Sequence, residues 1–212
     1  MKPNRSNNWI LTEIELSLCA RMLGNETWNA IPVFQREYPL ERRMLEGVFR
    51  LTEMGLLLPA EGQRLQPSPI LWERMRCVVW PERMVELVGS DSTSWRFFRK
   101  GAETAFVEPV LTEPEGYRLM TVEQTEVELL WEQLHQRSEF ETEGNEETTA
   151  LEALLAGARA LVTVWEADKA EERVLRISEQ EGRLWMKEAN RPSIPLRQTA
   201  LEQWVNGKEV EM

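Results

Sequence analysis

One histidine and two cysteines among 212 residues leave little for the commonest catalytic and metal chemistry. A Ser-His-Asp or Cys-His arrangement would have to use His135, and a His-rich metal site is impossible. His135 ends a helical pattern, where a cation complements the helix dipole or meets solvent. Cys19 and Cys77 stand far apart in helix-like segments without a C-x-x-C spacing, so they read as buried structural thiols. The patterns G-x-x-x-x-G-K-[ST], G-x-G-x-x-G, H-E-x-x-H and G-x-S-x-G are all missing. The 36 acidic residues guarantee chance carboxylate pairs, which do not by themselves make an acid-base site. The expectation is a chain that is not an enzyme and uses no cofactor and no metal.

Long apolar runs are missing as well. No stretch approaches about 18 apolar residues, and the opening MKPNRSNNWILTEIELSL has neither an uninterrupted apolar segment nor a small-residue cleavage site. A cytoplasmic protein without membrane insertion is expected. Positive charge is scarce: Lys and Arg number 25 against 36 Asp and Glu, a net charge of -11. Such a field repels phosphate backbones and argues against nucleic acid as a partner. What the chain does have is ordinary globular material, 42% hydrophobic and 29% charged. A chain this long buries roughly 70 to 75% of its unfolded surface on folding.

Thr12 with Glu15 forms a capping box and Gly24 supplies a stop, so the pattern predicts a helix over Thr12 to Leu23. Its Ile14, Leu18 and Met22 share a face that Leu16, Cys19 and Leu23 widen. A second helix is predicted from Pro39 or Leu40 to Met54, with Leu40, Met44, Leu45, Val48 and Leu51 as its apolar stripe and Gly55 as its end. GLLLPAEGQRLQPSP then reads as two short apolar pieces around an Ala-Glu-Gly turn, similar to the wing that follows the recognition helix of a winged-helix module. Arg36, Arg42, Arg43 and Arg50 are interleaved with Glu37, Glu41 and Glu46. That balance favours a packing or protein-binding unit over DNA reading.

Ser68-Pro69 opens a helix that Pro81 stops soon after Val79. Strands are predicted at Arg83 to Val88, Trp95 to Lys100, Thr104 to Val110 and Tyr117 to Thr121, and Thr121 is expected to cap a helix over Val122 to Leu134. Residues 138–147, SEFETEGNEE, read as a solvated acidic linker rather than a metal site. Beyond it, a helix from Thr148 to Ala156, strands at Ala160 to Glu166, Glu172 to Ser178 and Arg183 to Glu188, and a helix from Arg197 to Val205 repeat the order of 68–134. ERMVEL at 82–87 is echoed by ERVLRI at 172–177. The expected fold class is α+β: two quasi-equivalent halves, each a short antiparallel sheet flanked by helices, behind a winged-helix-like helical segment. The boundaries are 1–67, 68–137, linker 138–147 and 148–212, within one compact domain.

Alternation along the later strands gives a sided sheet. Val162, Val164, Leu175, Ile177, Leu184 and Met186 form an aliphatic face suited to a core. The other face carries Thr163, Trp165, Val174, Arg176, Arg183, Trp185 and Lys187. Tryptophan beside arginine is the composition of interface centres, and equally of rings that a neighbouring element covers. Trp165, Arg176, Trp185 and Lys187 are the candidate partner-binding residues.

The segments LTEIELSLCARMLG, LEGVFRLTEMGLL and ILWERMRCVVWPERMVELVG, followed by short strands, resemble the EspG family of type VII (ESX) secretion chaperones. The likeness covers about residues 10–135, including the Pro81-Glu82-Arg83 step into the first strand, and 148–212 match as that family's quasi-twofold repeat. It lacks the longer Gly- and Ala-rich loops associated with actinobacterial members. The resemblance implies a cytoplasmic chaperone that holds a helical secretion substrate, and it carries no site residue over. The alternative is a winged-helix DNA-binding regulator acting through 36–66, with a C-terminal sensor or dimerisation domain.

Overall fold

Two helix starts and two helix stops in the N-terminal third follow the sequence. The computed structural model describes residues 9–25, 40–89, 94–110, 116–122, 124–136, 158–169, 171–189 and 191–210. After strand β1 (Trp9–Leu11), helix α1 spans Glu13–Met22. Thr12 Oγ1 accepts from Glu15 N at 3.3 Å and Glu15 Oε2 accepts from Thr12 N at 2.8 Å, the reciprocal capping box. Helix α2 spans Leu40–Glu53. Both helices end at a left-handed glycine, Gly24 at φ 91° and Gly55 at φ 69°, where a side chain would be strained. The two expected apolar pieces follow as a hairpin: β2 (Leu57–Pro59), a tight turn and β3 (Leu65–Pro67) pair antiparallel.

Next come α3 (Pro69–Val79), β4 (Arg83–Gly89), β5 (Ser94–Lys100), β6 (Glu103–Val110), β7 (Gly116–Val122) and α4 (Glu126–Gln136). Then follow β8 (Ala160–Glu166), β9 (Arg173–Gln180), β10 (Arg183–Glu188), β11 (Ile194–Pro195) and α5 (Gln198–Val205). The fold is α+β with antiparallel pairing, and the larger sheet runs β1-β7-β6-β5-β4-β8-β9-β10-β11. The meanders β4 to β7 and β8 to β11 therefore both run outward from the β4–β8 pair, which agrees with two repeated halves. The echo between ERMVEL and ERVLRI is out of step with this connectivity. It aligns β4, the first strand of its meander, with β9, the second strand of the other. The expected linker 138–147 and the helix Thr148 to Ala156 lie outside the described residues.

The helix after β7 begins later than expected. TVEQTEVE offers two Thr-x-x-Gln/Glu caps, and the structure uses the second. Thr125 N donates to Glu128 Oε2 at 2.8 Å, and Glu128 N donates to Thr125 Oγ1 at 3.3 Å. The bond from Thr125 N, with a second from the Thr125 hydroxyl to Glu128 Oε2 at 3.0 Å, holds the Glu128 carboxyl below the usual carboxylate range. A carboxylate accepts more strongly than the Gln124 amide that the first cap would use. The β-branched pair Thr121-Val122 extends β7 instead.

Backbone contacts divide the chain into unit 1, residues 1–81 with 98–121, and unit 2, residues 82–97 with 122–212. In unit 1, α1 packs on α2 through Gly47, where an added Cβ would stand 3.0 Å from Leu18 Cδ1. Leu16, Cys19, Leu51, Leu71, Met75 and Val78 are fully buried, each of the larger ones gaining about 1.5 to 3 kcal/mol from leaving water. Glu15 is buried beside them and meets Arg50 at 3.2 Å. The predicted stripe of α2 is corrected here, because Leu45 is 61% exposed while Gly47 and Leu51 face inward. One neighbouring helix cannot cover so many apolar positions, and the closest approach is at the residue without a side chain.

Both cysteines are buried free thiols. Burial pushes the Cys19 thiol up to about 12, with Glu15 adding to it. Burial also raises Cys77 to about 11, and its Sγ donates to Phe98 O at 3.1 Å. Neither forms thiolate near neutral pH. In unit 2, Val162, Val164, Leu175, Ile177 and Met186 are buried as predicted, together with Leu130, Leu134, Leu201 and Trp204 of the helices. Leu184, near the start of β10, is only half-buried.

Candidate protein-binding surfaces

The opposite face of the unit 2 sheet holds the sequence candidates, and strand register fixes which of them meet. Lys187 lies directly across from Arg176, and Arg176 across from Leu161. Trp185 sits one row further, opposite Ser178 on one side and Pro195 on the other. Trp185, Arg176 and Lys187 are therefore neighbours. Trp165 pairs with Met84, three rows away along β8. At about 3.3 Å per residue that separates the two tryptophans by roughly 20 Å, so the four residues share a face without forming one cluster.

Lys187 is exposed, and Trp165, Arg176 and Trp185 are half-buried. The Trp185 indole Nε1 is turned from solvent and has no acceptor among the described residues. A buried donor left unpaired costs about 1 to 3 kcal/mol. Val174, at 37% exposure, adds an apolar contact on the same face.

The reverse face is closed by α5, and two arginines close it. Arg173 Nη1 donates to Trp204 O at 2.5 Å and Nη2 to Val205 O at 2.9 Å, with the guanidinium 5.0 Å from the Trp204 ring centre. The buried Arg83 donates to Asn206 Oδ1 at 3.3 Å and lies 3.8 Å from Glu166. Cations at the carbonyl end of a helix complement both its dipole and its unpaired acceptors. Burial raises the Glu166 carboxyl, but Lys169, Arg83 and Arg173 together outweigh it and hold the group below its ordinary range. Beside this anchor, β9 to β11 and α5 enclose a cleft of about 330 Å³ lined by Leu175, Met186, Ile194 and Trp204. Glu188 and Arg191, paired at 3.1 Å, also line it.

A second surface, which the sequence reading missed, lies on unit 1. Phe49 is 70% exposed one helical turn beyond Leu45 on α2. Gly47 was the available signal, since a glycine inside an amphipathic helix marks a close backbone approach and so tells which side faces the core. The helix's arginines are ion-paired: Arg42 with Glu46 at 2.9 Å, Arg43 with Glu13 at 3.6 Å and Arg50 with Glu15 at 3.2 Å.

His135, in the last turn of α4, is exposed and donates from Nδ1 to Trp131 O at 2.8 Å, an end-of-helix role. Among the described residues, no group of three or more His, Cys, Asp or Glu side chains is placed to hold a metal ion. No helix among them is long and apolar enough to cross a membrane. No protein-family model matches this sequence, and a search of the curated proteins finds no match.

Proposed function

We propose that this chain is a protein-binding adaptor that receives a helical segment of another protein on the sheet face of unit 2 opposite α5. The observation that carries the reading is the placement of Trp185 beside the Arg176–Lys187 pair, on the face opposite α5. A large aromatic ring with cationic neighbours is the composition of interface centres. Lys187, exposed beside Trp185 on an acidic chain, favours a partner whose docking segment is apolar with a carboxylate on its flank. A cytoplasmic chaperone for a secreted helical protein, as in the type VII family that the sequence resembles, is one adaptor of this kind. The repeated meander is in keeping with that resemblance. The DNA-binding alternative is weaker, because the α2 arginines are already held by carboxylates.

The test is co-purification from the native cytosol with Trp185→Ala and Lys187→Glu as controls, the bound protein being identified by mass spectrometry. A stoichiometric partner whose affinity falls at least tenfold in both variants, with unchanged thermal melting, supports the proposal. Equal retention by the variants would refute the face, and loss of the folded signal in Trp185→Ala would make that ring a core residue.

A further inference from the structure

We propose that the outer face of α2 is a self-complementary contact through which two copies of this chain pair, their α2 helices antiparallel. At 100° per residue Leu45 and Phe49 lie about 40° apart, and Gly47 lies roughly opposite them. The side that packs on α1 thus leaves the Leu45–Phe49 side pointing away from unit 1's own core. Arg42, Glu46 and Glu53 flank that apolar pair along one edge, and all three are exposed.

The order of charges along this edge selects the occupant. A two-fold axis between Leu45 and Phe49 places each Phe49 against the other copy's Leu45. The same operation carries Arg42, already paired with Glu46 of its own helix at 2.9 Å, to the level of the other copy's Thr52 and Glu53, so that each guanidinium sits between carboxylates of both copies and offsets the approach of the two Glu46 side chains near the axis. That is the requirement for an isologous interface, in which one patch is its own complement. Each copy contributes only two large apolar side chains, Leu45 and Phe49, so the contact is small for a specific interface. The pairing is therefore weak and reversible, and this contact is independent of the sheet face proposed above.

Sedimentation velocity of the full chain across a concentration series provides the test. The expected result is a concentration-dependent monomer–dimer equilibrium that shifts at least tenfold toward monomer in Phe49→Glu. Arg42→Glu and Glu53→Arg should each weaken pairing, because each sets like charges across the axis. An equimolar mixture of these two variants should restore it, since both cross-axis pairs become opposite in sign. A chain that stays monomeric up to high concentration overturns the proposal. So does a dimer indifferent to Phe49→Glu, or a mixture no better paired than its components. Melting temperatures close to wild type identify the three variants as folded.

Discussion

Unit 1 and unit 2 use their apolar residues in opposite ways. Among the described residues, Leu45, Phe49, Met54, Leu58, Leu65, Ile70, Trp72 and Trp80 of unit 1 are exposed large hydrophobics, whereas unit 2 exposes only Val174. The difference follows from how helices are held. In unit 2, α5 lies on the aliphatic sheet face with its carbonyl end fixed by Arg173 and Arg83. In unit 1, α1 and α2 meet along one side, closest at Gly47 and flanked by the Arg43–Glu13 and Arg50–Glu15 ion pairs, and the β2–β3 hairpin adds only a short two-stranded sheet. A helix packed by a glycine buries one side and leaves the other for something else. Contact surfaces thus arise in unit 1 from helix exteriors and in unit 2 from a sheet.

The largest effect that would sharpen this comparison lies within α2. Leu51→Ala, at a fully buried position, should cost about 2 to 5 kcal/mol, since it removes transfer energy and leaves a cavity. Leu45→Ala should change monomer stability by less than about 0.5 kcal/mol. Urea unfolding at low protein concentration measures both, and similar losses would show that the outer face is packed. In unit 2, Arg173→Ala should cost about 2 to 3 kcal/mol, because two carbonyls lose a charged donor. Arg173→Lys should recover only part of this, as an ammonium cannot span both acceptors in a fixed fork. Full recovery by lysine would reduce the anchor to simple charge.

How far the fold could be read from the sequence depends on the range of the interactions involved. The caps at Thr12, Ser68, Gly24 and Gly55 are local hydrogen-bonding requirements, and each is found where the residues place it. The strand pattern of unit 2 was legible for the same reason, since alternation needs only the next residue but one. The strand Trp9–Leu11 was not, because its partner β7 lies more than a hundred positions along the chain. Nor was the outward face of α2, whose side is chosen by contact with α1. At the candidate site, the shared face of Trp165 and Trp185 followed from period two. Their separation by three rows did not, because it needs the register of β9 against both neighbours. The Arg173 anchor carried no local signal at all, being a side chain of one strand that reaches the end of a helix some thirty residues later.

The capping boxes give a comparison on equal terms, since α1 of unit 1 and α4 of unit 2 carry the same device. Thr12→Ala and Thr125→Ala should each cost about 1 kcal/mol, measured by chemical denaturation. A much larger loss at Thr12 would mean that the Glu15 backbone N–H, deprived of its Oγ1 acceptor, finds no other partner in this packed first turn. A negligible loss at Thr125 would return the start of α4 to the alternative cap at Thr121.

The smallest expected effect is a pH dependence at the unit 2 anchor. Burial opposes ionisation of Glu166 while Lys169, Arg83 and Arg173 favour it, and the net result is a depressed folded-state pKa. A carboxyl whose pKa is lower folded than unfolded adds stability above its unfolded value, near 4.5. That contribution disappears as pH falls through the folded value. The stability difference between wild type and Glu166→Gln should therefore be constant above about pH 6 and shrink in acid, as the wild-type carboxyl takes up its proton. Denaturation midpoints of both proteins across pH 3 to 7 measure this. A gap that widens on acidification would mean that burial, and not the cations, dominates. Repeating the series in Arg173→Ala separates the two, since losing a cation weakens the ionised form alone and should narrow the gap above pH 6.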